Sequence, residues 1–82
     1  MQDAEVDLRL RNLFATVLNL PLEKVVDELS PESCLVWDSL NQIHLVQSIE
    51  EDFGFEMPFE DQMSMLSFRI AAAIVRRNVG VL

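Results

Sequence analysis

The chain reads as all-α: a small helical bundle of three principal helices plus short helices, with a long connection between the first two. Three observations predict this class. Apolar residues recur at helical spacing in three separate stretches, and no stretch alternates polar and apolar as a half-buried strand does. Pro21, Pro31, Gly54 and Pro58 fall between the periodic stretches, where such residues end helices. At 82 residues, half of them hydrophobic, the chain suits one domain, residues 1–82, with a single modest core.

Asp3 to Leu18 reads as the first helix. Val6, Leu10, Leu13, Phe14, Val17 and Leu18 share one face, with Arg9, Asn12 and Thr16 on another. Asp3, Glu5 and Asp7 place negative charge at its positive end. Asn19-Leu20-Pro21 stops it, because proline disfavours helix in the residue before it. Leu20 to Trp37 is then a connection long enough to suggest function. Leu22, Val25, Val26 and Leu29 are spaced to cover the core. Ser30-Pro31-Glu32 has the cap, proline and acid of one short turn. Cys34 is expected to pack as a small apolar residue in the short turn, and Trp37 either to pack the connection onto the bundle or to shape the surface that partners read beside Ser39.

The second helix runs from about Ser39 to Phe53. Leu45, Val46, Ile49 and Phe53 form its core face. Leu40, Ile43, His44, Gln47, Glu50 and Glu51 lie opposite. Two apolar residues one turn apart on an outer face, continued by two acids, have the pattern of a docking surface. Gly54 ends the helix as a glycine cap. After the turn Phe55-Glu56-Met57-Pro58, Phe59 to Met65 suits a short third helix. Ser67 caps a last helix from Phe68 to about Asn78, with Phe68, Ala71, Ala72 and Val75 on one face and Ile70 and Ile74 beside it. Arg76 and Arg77 complement its negative end.

Charge limits the partners. Fourteen acids against six bases give a net charge of −8. The excess is local: eleven acids (Glu23, Asp27, Glu28, Glu32, Asp38, Glu50, Glu51, Asp52, Glu56, Glu60, Asp61) and one base, Lys24, lie between Leu20 and Asp61. Such a surface repels nucleic acid and anionic membranes and favours basic protein patches. No apolar run approaches membrane-spanning length, and the residues after Met1 lack a basic, apolar signal segment, so no membrane insertion is expected. A single cysteine excludes an internal disulfide. The expectation is a monomer in a reducing cytoplasm.

Ser39 is the residue with the most chemistry open to it. At a helix start it can act as a cap, and Gln42 three residues on fits a capping box; Asp38 can serve as the cap instead. Catalytic nucleophilicity needs a base within hydrogen-bond reach. The only histidine, His44, is five residues along the same helix and rotated away, and no Gly-x-Ser-x-Gly elbow is present. The acids of Glu50-Glu51-Asp52-Phe53-Gly54 lack the spacing of a calcium loop. A phosphodiester on Ser39, by contrast, would sit in the favourable field of the helix N-terminus.

Asp38-Ser39-Leu40 at a helix start, followed by Ile49-Glu50-Glu51-Asp52-Phe53-Gly54 in an acidic chain, closely resembles the acyl carrier protein family over about residues 10–75. The resemblance implies that Ser39 carries 4′-phosphopantetheine, derived from coenzyme A, flanked by Asp38 and Leu40. The arm's thiol would hold acyl groups as thioesters in fatty acid, polyketide or more specialised biosynthesis. Asp38 would be recognised by the phosphopantetheinyl transferase that installs the arm. Acyl-loading and acyl-using enzymes with basic patches would dock on Leu40, Ile43, His44, Gln47, Glu50 and Glu51. No metal and no catalysis by the chain itself are implied.

Asn41 and His44 are neutral where the family often has acids, so the front of the second helix is less acidic than usual. Leu35-Val36-Trp37 is bulky where the family commonly has a glycine. This differs from the glycine-rich approach of peptidyl carriers. Met57, Met63, Met65 and Leu66 suit either core filling or pliable walls for an acyl chain between the second and third helices. From the residues alone one other reading stands: an unmodified acidic helical adaptor binding a basic protein partner.

Overall fold

The computed structural model describes residues 2–80. Four α-helices and no strand occur among them: α1 (Asp3–Leu18), α2 (Ser39–Phe53), α3 (Phe59–Met63) and α4 (Phe68–Val79), with a 3₁₀ turn at Leu22–Lys24. The expected all-α class and long first connection are both present.

Helix ends follow the local chemistry. Asn19 turns left-handed (φ 55°), and its amide and that of Leu20 close onto the last carbonyls of α1. Gly54 does the same for α2 at φ 71°, where a side chain would strain the backbone. The hydroxyl of Ser67 accepts the amide of Ile70 and opens α4. Helix α3 ends at Met63, two residues earlier than expected, where Ser64 donates its hydroxyl to the Glu60 carbonyl.

One side of each long helix meets in the core. Val6, Leu10, Phe14 and Leu18 of α1 pack with Leu45, Val46 and Ile49 of α2 and Phe68, Ala71, Ala72, Ile74 and Val75 of α4. Phe14 is central. Trp37 and Phe68 stand edge-on to it, with ring centroids 5.2 and 5.1 Å away. Leu13 and Val17 are only partly buried, and so is Phe53, whose ring carries the Arg9 guanidinium 4.8 Å above it.

The long connection is pinned rather than loose. Val25, Leu29, Cys34 and Trp37 are buried in the core. The carbonyls of Asp27 and Leu29 accept the amides of Arg69 and Phe68. Arg11 donates to Asp7, Asp27 and the Val25 carbonyl, with its guanidinium over the Phe68 ring. These bonds hold the guanidinium pKa above its ordinary value, the Asp7 bond contributing most and burial opposing it. Leu22 and Val26, expected to cover the core, are instead exposed. The 3₁₀ turn, closed by Lys24 and Val25 amides on the Pro21 and Leu22 carbonyls, turns only Val25 inward. At Ser30 the expected short turn is present as a hydrogen-bonded turn in which Ser33 donates its amide to the Ser30 carbonyl.

Candidate functional site

The connection delivers its last residues to the start of α2. Cys34 to Trp37 form a tight turn, closed by the Trp37 amide on the Cys34 carbonyl at 3.0 Å. Its ends, Cys34 and Trp37, are buried, while its tip, Leu35 and Val36, points out. The Trp37 indole donates to Gln42 Oε1 at 2.8 Å, and Gln42 Nε2 donates to the Gln62 carbonyl at 3.1 Å. One hydrogen-bonded chain thus links the loop, α2 and α3.

Asp38, not Ser39, is the helix cap. Its backbone is extended, and its carboxylate accepts the Asn41 amide at 2.9 Å. Gln42 does not complete a capping box, because its side chain is committed to Trp37 and Gln62. Ser39 is therefore the first helical residue. It is exposed, and its hydroxyl makes no hydrogen bond among the described residues. The opening amides of α2 have no intrahelical acceptor and lie at the positive end of the dipole.

Beside Ser39 is an open groove of about 330 Å³, lined by Pro31, Trp37, Asp38, Ser39, Gln42, Gln62, Met63, Met65 and Leu66. The four sulfur and leucine residues of this region divide. Met57 and Met65 are buried core residues, whereas Met63 and Leu66 are about two-thirds exposed. An exposed hydroxyl at a helix N-terminus beside a mixed polar and apolar groove fits a phosphodiester-linked arm.

The expected partner face also divides. Leu40, Ile43, His44, Gln47 and Glu51 are exposed along α2. Glu50 is half-buried, and its carboxylate accepts the Met57 amide at 2.9 Å, holding the turn after α2. The His44 Nδ1 lies 3.2 Å from Asn41 Oδ1. Asn41 also donates its side-chain amide to the Val36 carbonyl at 2.7 Å. The parts that Leu35, Asn41 and Gln42 take here differ from those their sequence positions suggest. Their signal was weak, since each is an ordinary residue type whose part depends on how the turn folds back.

Ion pairing sharpens the charge map. All five arginines are engaged: Arg9 with Asp52, Arg11 with Asp7 and Asp27, Arg69 with Glu28, Arg76 with Asp3 and Arg77 with Asp61. The Arg77 hydrogen bond holds the Asp61 carboxyl below its ordinary value and raises Arg77 in turn. Glu51, Glu56 and Glu60 have no such counter-ion among the described residues. No cluster of His, Cys, Asp and Glu among the described residues is placed to hold a metal, and no helix is long and apolar enough to cross a membrane.

Residues 8–69 match the family described as the phosphopantetheine attachment site. The chain is 36% identical over 80 residues to the acyl carrier protein of Thermosynechococcus vestitus, covering 98% of this chain and 99% of that one. It is 32% identical over 75 residues to the acyl carrier proteins of Bradyrhizobium sp. (strain ORS 278) and Rhodopseudomonas palustris (strain TIE-1), covering 92% of this chain and 95% of each of them. The chain belongs to the acyl carrier protein family, whose members are carriers rather than enzymes and bear covalent 4′-phosphopantetheine. Family membership implies two kinds of partner, a phosphopantetheinyl transferase and enzymes that handle acyl groups.

Proposed function

We propose that Ser39 is the attachment point of 4′-phosphopantetheine and that this carrier presents acyl intermediates to enzymes of a specialised biosynthetic pathway. The arm, when attached, supplies the thiol that forms the acyl thioester. The residues of the chain do the rest. Asp38 caps α2 and leaves the Ser39 hydroxyl outside the hydrogen-bonded turn. Trp37 and Gln42 tie that turn to the core and to α3. Leu40 and Ile43 offer apolar contact to a docking enzyme, His44 and Gln47 line the same face, and Glu51 supplies exposed charge for steering. Met63 and Leu66 border the groove into which a long chain can tuck. We read the molecule as a single carrier domain acting as a cytoplasmic monomer, a reading supported by its one buried free thiol and its excess negative charge.

The observation that carries this reading is the exposed, unbonded hydroxyl of Ser39 at the N-terminus of α2. Intact mass after incubation with coenzyme A and a broad-specificity phosphopantetheinyl transferase tests it. One phosphopantetheinyl group is expected on the native chain and none on Ser39→Ala. A native chain that folds and gains nothing points instead to the unmodified acidic adaptor.

A further inference from the structure

Leu35 is the most exposed large apolar side chain among the described residues, at 96%. It is not on a loose loop. The turn that carries it is closed by the Trp37 amide, anchored by two buried side chains and tied to α2 by Asn41 through the Val36 carbonyl. An ordered turn that holds Leu35 almost wholly in water gains little folding stability from that side chain, while Val36 beside it is 43% exposed. Leu40, Ile43, Met63 and Leu66 are exposed on the flanking α2 and α3 surfaces, so apolar groups border Ser39 on several sides.

We infer that the Leu35–Val36 tip is a contact surface for the enzyme that transfers phosphopantetheine to Ser39; this rests on the reading of Ser39 as the modified residue. Geometry selects this partner. In the transfer, Ser39 Oγ attacks the coenzyme A phosphorus that bears the pantetheine. The P–O bond to the nucleotide breaks, adenosine 3′,5′-bisphosphate leaves, and the hydroxyl proton passes to a base of the transferase. The enzyme must therefore close over Ser39 itself and cover the turn four residues before it. Enzymes that use the loaded arm meet a thiol a flexible arm's length from the helix and need not touch that turn. Charge agrees. The tip carries no ionisable group, and Asp38, two residues beyond it, is occupied as the helix cap. Contact there is apolar and weakly dependent on salt.

Rates of transfer from coenzyme A, followed by intact mass against carrier concentration, test the inference on Leu35→Ser, with Leu8→Ser as control. Leu8 is also an exposed leucine, at 57%, but lines the groove between α1 and α2. Losing an apolar anchor from an interface should raise KM about five- to tenfold with kcat little changed. Leu8→Ser should match the native chain, and both variants should melt as it does. An unchanged KM for Leu35→Ser, or an equal rise in both variants, overturns the inference while the mass gain still upholds Ser39. Absence of any gain on the native chain overturns both.

Discussion

Glu50 and Glu51 are adjacent acids of similar sequence context, yet the structure gives them different work. The Glu50 carboxylate accepts the Met57 amide at 2.9 Å across the turn that follows α2, whereas Glu51 is exposed and has no counter-ion among the described residues. A hydrogen bond to a charged group contributes about 1.5–3 kcal/mol. The site is only half-buried, so water recovers part of that on its loss, and Glu50→Ala should cost about 1–1.5 kcal/mol. For a chain of this size 1 kcal/mol moves the melting temperature by about 4–8 °C, which places the variant roughly 5–10 °C below the native protein. Glu50→Gln keeps an acceptor oxygen and should lose less than half as much, while Glu51→Ala should stay within about 0.5 kcal/mol of native. Thermal melting by circular dichroism measures all three, and hydrogen exchange at the Met57 amide reports the bond directly. Equal melting temperatures for Glu50→Ala and Glu51→Ala, with unchanged exchange at Met57, would refute the assignment. The distinction also shapes any docking experiment. Charge reversal at Glu50 unsettles the fold, so Glu51→Lys is the cleaner probe of steering, expected to slow association with an acyl-using enzyme and flatten its salt dependence.

Three further outcomes are expected. Trp37→Phe keeps an aromatic ring against Phe14 but leaves Gln42 Oε1 without its donor, and should lower stability by about 1–2 kcal/mol in denaturant unfolding; a neutral result would remove the Trp37–Gln42 bond from the account. Because Arg77 holds the Asp61 carboxyl below its ordinary 3.8, their pairing stabilises the fold above that value and is lost as pH falls through the lower folded-state value. The melting temperature of Asp61→Asn should accordingly decline less than that of the native chain on going from neutral to strongly acidic pH, and parallel declines would contradict this. Acyl cargo lying in the groove beside Ser39 should raise the melting temperature of the loaded protein with chain length, each methylene contributing up to about 0.8 kcal/mol before ordering costs; no rise with length would show that the cargo stays in water.

Much of this architecture was legible in the sequence because local signals agreed. The spacing of Val6, Leu10, Phe14 and Leu18 set the buried face of α1, and Gly54 marked the end of α2 at a backbone angle glycine favours. Asp38-Ser39-Leu40 marked the candidate site from local sequence and family resemblance together. What stayed hidden depends on contacts distant along the chain or on competition between neighbours. Asp38 and Ser39 are both good caps, and only the folded backbone shows Asp38 taking the Asn41 amide. Leu22 and Val26 look like core residues, yet the 3₁₀ turn inserts Val25 alone. Phe53 reads as core until Arg9, from α1, covers its ring. Glu50 reads as surface until the chain after Gly54 folds back to donate the Met57 amide.

One hydroxyl in this chain stands apart as the proposed carrier of the arm. Six serines are present, at 30, 33, 39, 48, 64 and 67. Ser30 and Ser33 bond to each other, Ser64 to the Glu60 carbonyl and Ser67 to the Ile70 amide, and Ser48 lies in mid-helix beside the groove between α1 and α2. Among the described residues, only Ser39 combines an exposed, unbonded hydroxyl with a helix N-terminus. Fragmentation mass spectrometry of peptides from the native protein, after reaction with coenzyme A and a phosphopantetheinyl transferase, tests this most directly. The expected result is a phosphopantetheinyl group on Ser39 and an unmodified chain elsewhere. A group found on any of the other five serines, or a folded chain that accepts none, would contradict it.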